Sequence, residues 1–197
     1  MSNRVMVFID YQNITATACD RFPRTAGMRA FSHIDPLRLA ELIVAKRHVR
    51  SELAEVRIYR GRPTPRREPG SAAVNDIQAS RWERDRRVTV VRRMLRYPKS
   101  YPFTPPQEKG IDVALAVDFV RLAFQRAYDV GLIVSHDTDL IPALEAVRDM
   151  RLAHVEVAGW RGRNRIQFPD SKLPWHHDLF EDDFHAVRDD TDYLKDR

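Results

Sequence analysis

Two carboxylates one residue apart at the end of an apolar run repel each other unless something positive lies between them. LIVSHDTDLIPALEAV (132–147) places Asp137 and Asp139 in this way, after an apolar strand and ahead of a helical pattern. Asp10 closes another apolar run, RVMVFID (4–10), and Asp112 stands in the first turn of the helix that follows a proline-rich loop. Singly, each has an ordinary reading, Asp10 as a cap and Asp112 as an acid favoured by a helix N-terminus. Together, at equivalent element ends, they suggest an oxygen-ligand site for Mg2+ or Mn2+. Such an ion polarises a phosphoryl oxygen and helps to form hydroxide from water. Two of them about 4 Å apart clamp both the attacking and leaving oxygens of a phosphodiester.

Other phosphate chemistries lack their residues. The chain has no G-x-x-x-x-G-K-[ST] and no G-x-G-x-x-G, and no G-x-S-x-G supports a serine hydrolase. A phosphatase with an aspartyl nucleophile would carry an acid two residues after Asp10, where Gln12 stands.

The elements that must position these acids alternate. Strands are expected at 4–10, 55–61, 88–95, 130–135 and 152–159. Helices are expected at 35–48, where Asp35 caps and Pro36 opens, and at 71–85, 111–127 and 140–150. Residues 97–109 hold four prolines and form a loop, 160–177 are irregular, and the tail is partly helical or frayed. The alternation predicts an α/β domain with a mainly parallel sheet of about five strands, whose site lies at the carboxyl ends of the strands.

The length of 197 residues fits one domain with appendages, and a 43% hydrophobic content suffices for a core. No apolar run approaches a membrane span, and the N-terminus enters a strand almost at once, so neither a membrane nor a secretory leader is expected. The single cysteine, Cys19, excludes an internal disulfide and reads as a small core residue; the expected compartment is the cytoplasm. The net charge of +5 is uneven. Residues 178–197 carry eight acids and three bases, a net −5, so the preceding residues carry +10. A basic body suits a polyanionic partner.

VFIDYQNI (7–14), KGIDVALAVD (109–118) and VSHDTDLIPAL (134–144) resemble, in order and context, the three signature segments of the NYN domain family. The resemblance spans roughly residues 4–158 and extends to SKLPWHHDLF (171–180) as a weak closing motif. It implies a PIN-like three-layer α/β/α nuclease domain over 1–160, with residues 161–197 packing on it as an extension that ends in the acidic tail. It further implies metal ligation by Asp10, Asp112, Asp137 and Asp139. Asn13 would be turned into the site, Ser135 would orient the paired acids, and Lys109 would contact phosphate. Asp118 matches the motif, but six helical residues from Asp112 turn about 240° and rise about 9 Å, too far for one ion. It is a second-tier candidate with a structural alternative. The chain departs from the family at His136, where glycine is usual, and at Leu140, where phenylalanine is usual. An early-helix fourth acid has no clear match, Glu41 being the nearest candidate.

Arg60, Arg62, Arg66 and Arg67 crowd one loop; Arg81, Arg84, Arg86, Arg87, Arg92, Arg93, Arg96 and Lys99 crowd the elements that follow. Guanidinium forks suit phosphate, and Tyr97, Tyr101 and Phe103 are placed either to stack unpaired bases or to pack the loop. His176, His177 and His185 lie among acids but read as a solvated terminus rather than a transition-metal site. The expected function is a Mg2+- or Mn2+-dependent ribonuclease that cuts single-stranded RNA, with 5′-phosphate and 3′-hydroxyl ends implied by the family resemblance and a homodimer left open. A non-catalytic RNA-binding module and a small-molecule phosphoesterase are the rivals.

Overall fold

Val5 to Ile9 are all buried, the pattern of a strand covered on both faces. That strand, β1 (Asn3–Asp10), lies at the centre of the sheet. The computed structural model describes residues 2–22, 33–169, 174–193 and 195. After β1 come α1 (Tyr11–Arg21), β2 (His33–Ile34), α2 (Pro36–Ala45), β3 (Ser51–Arg62), α3 (Pro69–Trp82) and β4 (Val88–Met94). The second half holds α4 (Ile111–Phe124), β5 (Val130–Val134), α5 (Ile141–Asp149), β6 (His154–Trp160), β7 (Trp175–Leu179), α6 (Glu181–Val187) and β8 (Arg188–Asp189).

The central sheet has six strands in the order β4-β3-β1-β5-β6-β7, and every pairing is parallel. Alternate side chains feed two cores. Val5, Val7 and Ile9 face α1, α2 and α6, with Trp82 of α3 in the same cluster. Met6 and Phe8 face α4 and α5. This is the three-layer α/β/α arrangement. β2 and β8 form a separate antiparallel pair.

The central sheet has one strand more than the expected five or so, and a helix fills part of the stretch after Asp10 that the sequence pattern left unassigned. The sixth strand, β7, comes from the stretch read as irregular chain and tail. In a strand its adjacent histidines point to opposite faces. His177 is buried with Nε2 2.8 Å from Glu156 Oε2, whereas His176 lies near Asp178 and burial pushes its pKa down to about 4. The helix after Asp10, α1, buries only Tyr11, Ile14 and Ala18. Cys19, expected in the core, is exposed on it. Ser171, Lys172 and Leu173 of the weak closing motif lie outside the described residues, as do Leu194, Asp196 and Arg197 of the tail. Among the described residues no helix is long and apolar enough to cross a membrane.

Candidate metal centre

The strand order reverses between β1 and β5. Successive strands build outward on one side of β1, and then the chain returns to build on the other. In open α/β sheets the crevice above such a switch, at the carboxyl ends, is where ligands bind. Ile9 pairs with Val134, so Asp10 and Ser135 leave the sheet side by side. Asp10 then caps α1, accepting from the Asn13 N–H at 3.3 Å. Its cap role and its place in the cup are the same geometry.

Asp112 arrives from the other core. Gly110 holds the left-handed φ of 74° that starts α4, and Asp112 lies in the first turn, where the helix dipole favours a negative charge. Asp137 comes from the turn after β5 and caps a 3-10 turn, Thr138–Leu140, by accepting from the Asp139 N–H at 2.9 Å. One carboxylate oxygen each from Asp10, Asp112 and Asp137 lies within 4.8 Å of the others. Three segments more than twenty residues apart in sequence thus form one anionic cup.

The electrostatics follow from the burial and crowding of the acids. Burial pushes Asp10 up to about 7. The Ser135 hydroxyl and the Asn13 N–H oppose that rise, and Asp112 and Glu108 add to it. Asp112 is also raised, first by burial and then by Asp137 and Asp139. Crowded carboxylates that resist ionisation fit a site for a hard cation, and the donors are all oxygen.

The surrounding side chains fix the cup. Ser135 Oγ donates to Asp10 Oδ2 at 2.9 Å and accepts from the Asp137 N–H at 3.0 Å, so it orients Asp10 and Asp137 rather than the Asp137–Asp139 pair. Asn13 Oδ1 accepts from the His136 N–H at 3.0 Å, which ties α1 to the turn after β5. His136, far from loose at the surface, bridges Asn164 O at Nδ1 and the Trp160 N–H at Nε2, 2.9 and 3.0 Å away. Its ring fills the space that a Cβ on Gly159 would need: that atom would lie 2.6 Å from Cε1.

Several expected residues lie elsewhere. Asp139 is exposed at the rim and outside the three-oxygen cluster, though its charge reaches Asp112. Asp118 takes the structural alternative: it binds Arg57 at 3.0 Å, Arg121 at 2.7 Å and the Tyr59 hydroxyl at 2.9 Å. Glu41 pairs with Arg87 at 2.8 Å and is not among the acids of the cup. The nearby fourth acid is Glu108, which sequence reasoning passed over. It is half-buried, accepts from the Gly61 N–H, is raised by burial and interacts with Asp10 and Asp112. Its signal was its place at the end of the proline-rich loop, four residues before Asp112.

The arginines divide. Arg66, Arg67, Arg93 and Arg96 are exposed, as is Lys109. Arg62 and Arg92 share Asp76 at 2.7 and 2.6 Å. Arg60 is only 8% exposed and does not belong to the open flank. In β3 it shares the parity of Val56 and Ile58, which puts it on the core face, over Tyr11 and Trp82. Tyr97 and Tyr101 pack edge to face beneath Arg67, the loop-packing alternative, and Phe103 stands 94% exposed.

A doubly wound parallel sheet with carboxylates at its switch point is consistent with a PIN-like α/β domain. The NYN domain model matches residues 4–169, and the chain belongs to that family. A crystal structure of a protein of unknown function from Vibrio parahaemolyticus has the same fold. Its TM-score is 0.60 at 15% identity, over 92% of this chain and 95% of that one. No curated protein matches the chain.

Proposed function

We propose that the protein is a divalent-metal-dependent ribonuclease that hydrolyses phosphodiester bonds in single-stranded RNA. The observation that carries this reading is the convergence of Asp10, Asp112 and Asp137 within 4.8 Å at the switch point of the sheet. Family membership supports it. Asp10, Asp112 and Asp137 would hold Mg2+ or Mn2+, with Asp139 at the rim. A divalent ion there would neutralise charge on the phosphoryl oxygens and lower the pKa of water. Ser135 keeps Asp10 and Asp137 in one orientation, and Asn13 holds the turn that carries Asp137. Lys109 and the exposed Arg66, Arg67, Arg93 and Arg96 contact the RNA backbone, and Phe103 offers a face for an unpaired base.

The test is incubation of the purified chain with end-labelled single-stranded RNA and DNA in Mg2+ or Mn2+, and then with chelator. The expected result is RNA cleavage that chelation stops and that Asp137→Asn reduces by at least a hundredfold. Cleavage that persists in chelator, or that is undiminished in Asp137→Asn, refutes the reading. Tight, salt-sensitive RNA binding without cleavage in any metal would identify a binding module instead.

A further inference from the structure

Arg60 is a buried cation without a direct ion pair among the described residues, the charge of half-buried Glu108 acting on it only from a distance. Among the described residues its one polar contact is Nη1 to Gln78 Oε1 at 2.9 Å, and its Nε has no partner there. Removing a guanidinium from water without pairing it is strongly unfavourable. Tyr11 and Trp82 return only part of that, from ring faces 4.7 and 5.3 Å away. Burial accordingly depresses the Arg60 pKa.

Arg60 borders a cavity of about 500 Å³ at the carboxyl end of β3, with Gln12, His33 and Gln78 also in its wall. Gln78 is fully buried, yet its Nε2 also lacks a partner. Gly70 and Ser71 line the other side, in the first turn of the fourteen-residue α3. The N-cap, Glu68, makes no side-chain hydrogen bond to that turn, whose N–H groups have no helical carbonyl to meet. A Cβ built on Gly70 would have nothing within 4 Å, so the approach to that turn is open. An unpaired buried guanidinium, unmatched amide donors and a helix N-terminus all ask for a negative, oxygen-rich group.

We infer that this cavity is a phosphate-binding pocket in which Arg60, Gln78 and the N-terminal turn of α3 hold one phosphate group. The ligand chemistry is a phosphate, whether free, terminal on a strand or internal to it. Tyr59 pairs with Asp10, so Arg60 stands one residue beyond the cup on the neighbouring strand. Given the proposed ribonuclease reading, the pocket engages a phosphate of the same strand that enters the cup. The pocket itself does not require that reading.

The test uses the full chain in chelator, which removes any metal-mediated phosphate binding at the cup. Inorganic phosphate is titrated by calorimetry and thermal shift. The same short RNA, bearing a 5′-phosphate, a 3′-phosphate or neither, is titrated by anisotropy. Two variants remove the need for an anion. Arg60→Met replaces the charge with an apolar chain, and Gln78→Glu supplies a carboxylate beside it. Wild type and Asp137→Asn should bind phosphate alike, and both Arg60→Met and Gln78→Glu should bind at least tenfold more weakly while melting cooperatively in the absence of ligand. A tenfold preference for one phosphorylated end, lost in both variants, assigns the source as terminal. Equal binding of the three RNAs, weakened in both variants, assigns an internal phosphate. Weakening confined to inorganic phosphate assigns free phosphate. Phosphate binding unchanged in both pocket variants, or lost in Asp137→Asn, overturns the inference. Failure of RNA cleavage alone overturns the ribonuclease reading and leaves the pocket standing.

Discussion

Replacing Asp10 with asparagine should stabilise the metal-free protein, and by an amount that depends on pH. Asp10 is 3% exposed, and its pKa rises from 3.8 to about 7 on folding. A carboxyl whose folded value is raised contributes its full share to stability below pH 4, where it is protonated in both states. That share is lost as pH rises through the folded value near 7. The displacement corresponds to about 4 kcal/mol at pH 8. Asparagine keeps the shape and can still accept from the Asn13 N–H, but its Nδ2 donor faces the Ser135 hydroxyl that donates to Asp10 Oδ2, a mismatch of about 1 kcal/mol at any pH. Asp10→Asn should therefore match the wild type near pH 4.5 and exceed it by about 3 kcal/mol at pH 8. In a chain of this size that is a rise in Tm of about 6–12 °C. Thermal and urea unfolding in chelator between pH 4.5 and 8.5 measure the difference. Saturating Mg2+ or Mn2+ should stabilise the wild type more than the variant and narrow the gap. A difference constant over that range, or a variant less stable at pH 8, refutes the claim that Asp10 is held against its own ionisation.

Glu156 behaves in the opposite sense. Burial alone would raise its pKa, but His154, His177 and Arg47 outweigh it and hold it well below the carboxylate range. Its contribution is present above about pH 5 and lost in acid, and Glu156→Gln should cost about 3–5 kcal/mol in urea unfolding at pH 7 by leaving Arg47 unpaired. Gly159→Ala should reduce metal-stimulated RNA cleavage at least tenfold by pushing the His136 ring and the turn that carries Asp137. Adding His136→Gly, which vacates that space, should recover part of the loss in the same assay. Glu41→Ala should leave cleavage unchanged and unfolding within about 1 kcal/mol, since an exposed pair contributes little. Asp118→Asn should lower stability by about 1–3 kcal/mol through Arg57 and Tyr59 while cleavage persists.

The residues of the cup were legible because their signal is local. Each acid ends a strand or opens a helix, and those boundaries follow from apolar periodicity and proline placement. The helix after Asp10 was not, because Asn13, Thr15 and Thr17 dilute its periodicity and three residues carry its whole buried face. Strand β7 was hidden for a different reason. His177 occupies an inward position where a strand normally offers an apolar side chain, and its partner, Glu156, lies in another apolar run. Polar pairs that satisfy each other across the core are invisible to hydrophobic patterning. Arg60 shows the reverse error. The density of arginines reads as one exposed face, yet the two-residue period of EVRIYR assigns Arg60 to the side of Val56 and Ile58.

The return of the chain to the far side of β1 has a consequence for when the protein becomes competent. A polypeptide that ends before β5 already carries Asp10 and Asp112, but the strand that brings Ser135 and Asp137 alongside is missing. Such a piece has two of the three carboxylates and no Ser135 to aim them. The three-carboxylate cup therefore exists only once β5 has been made and has docked on β1, while β6 and β7 are still to be added to the sheet.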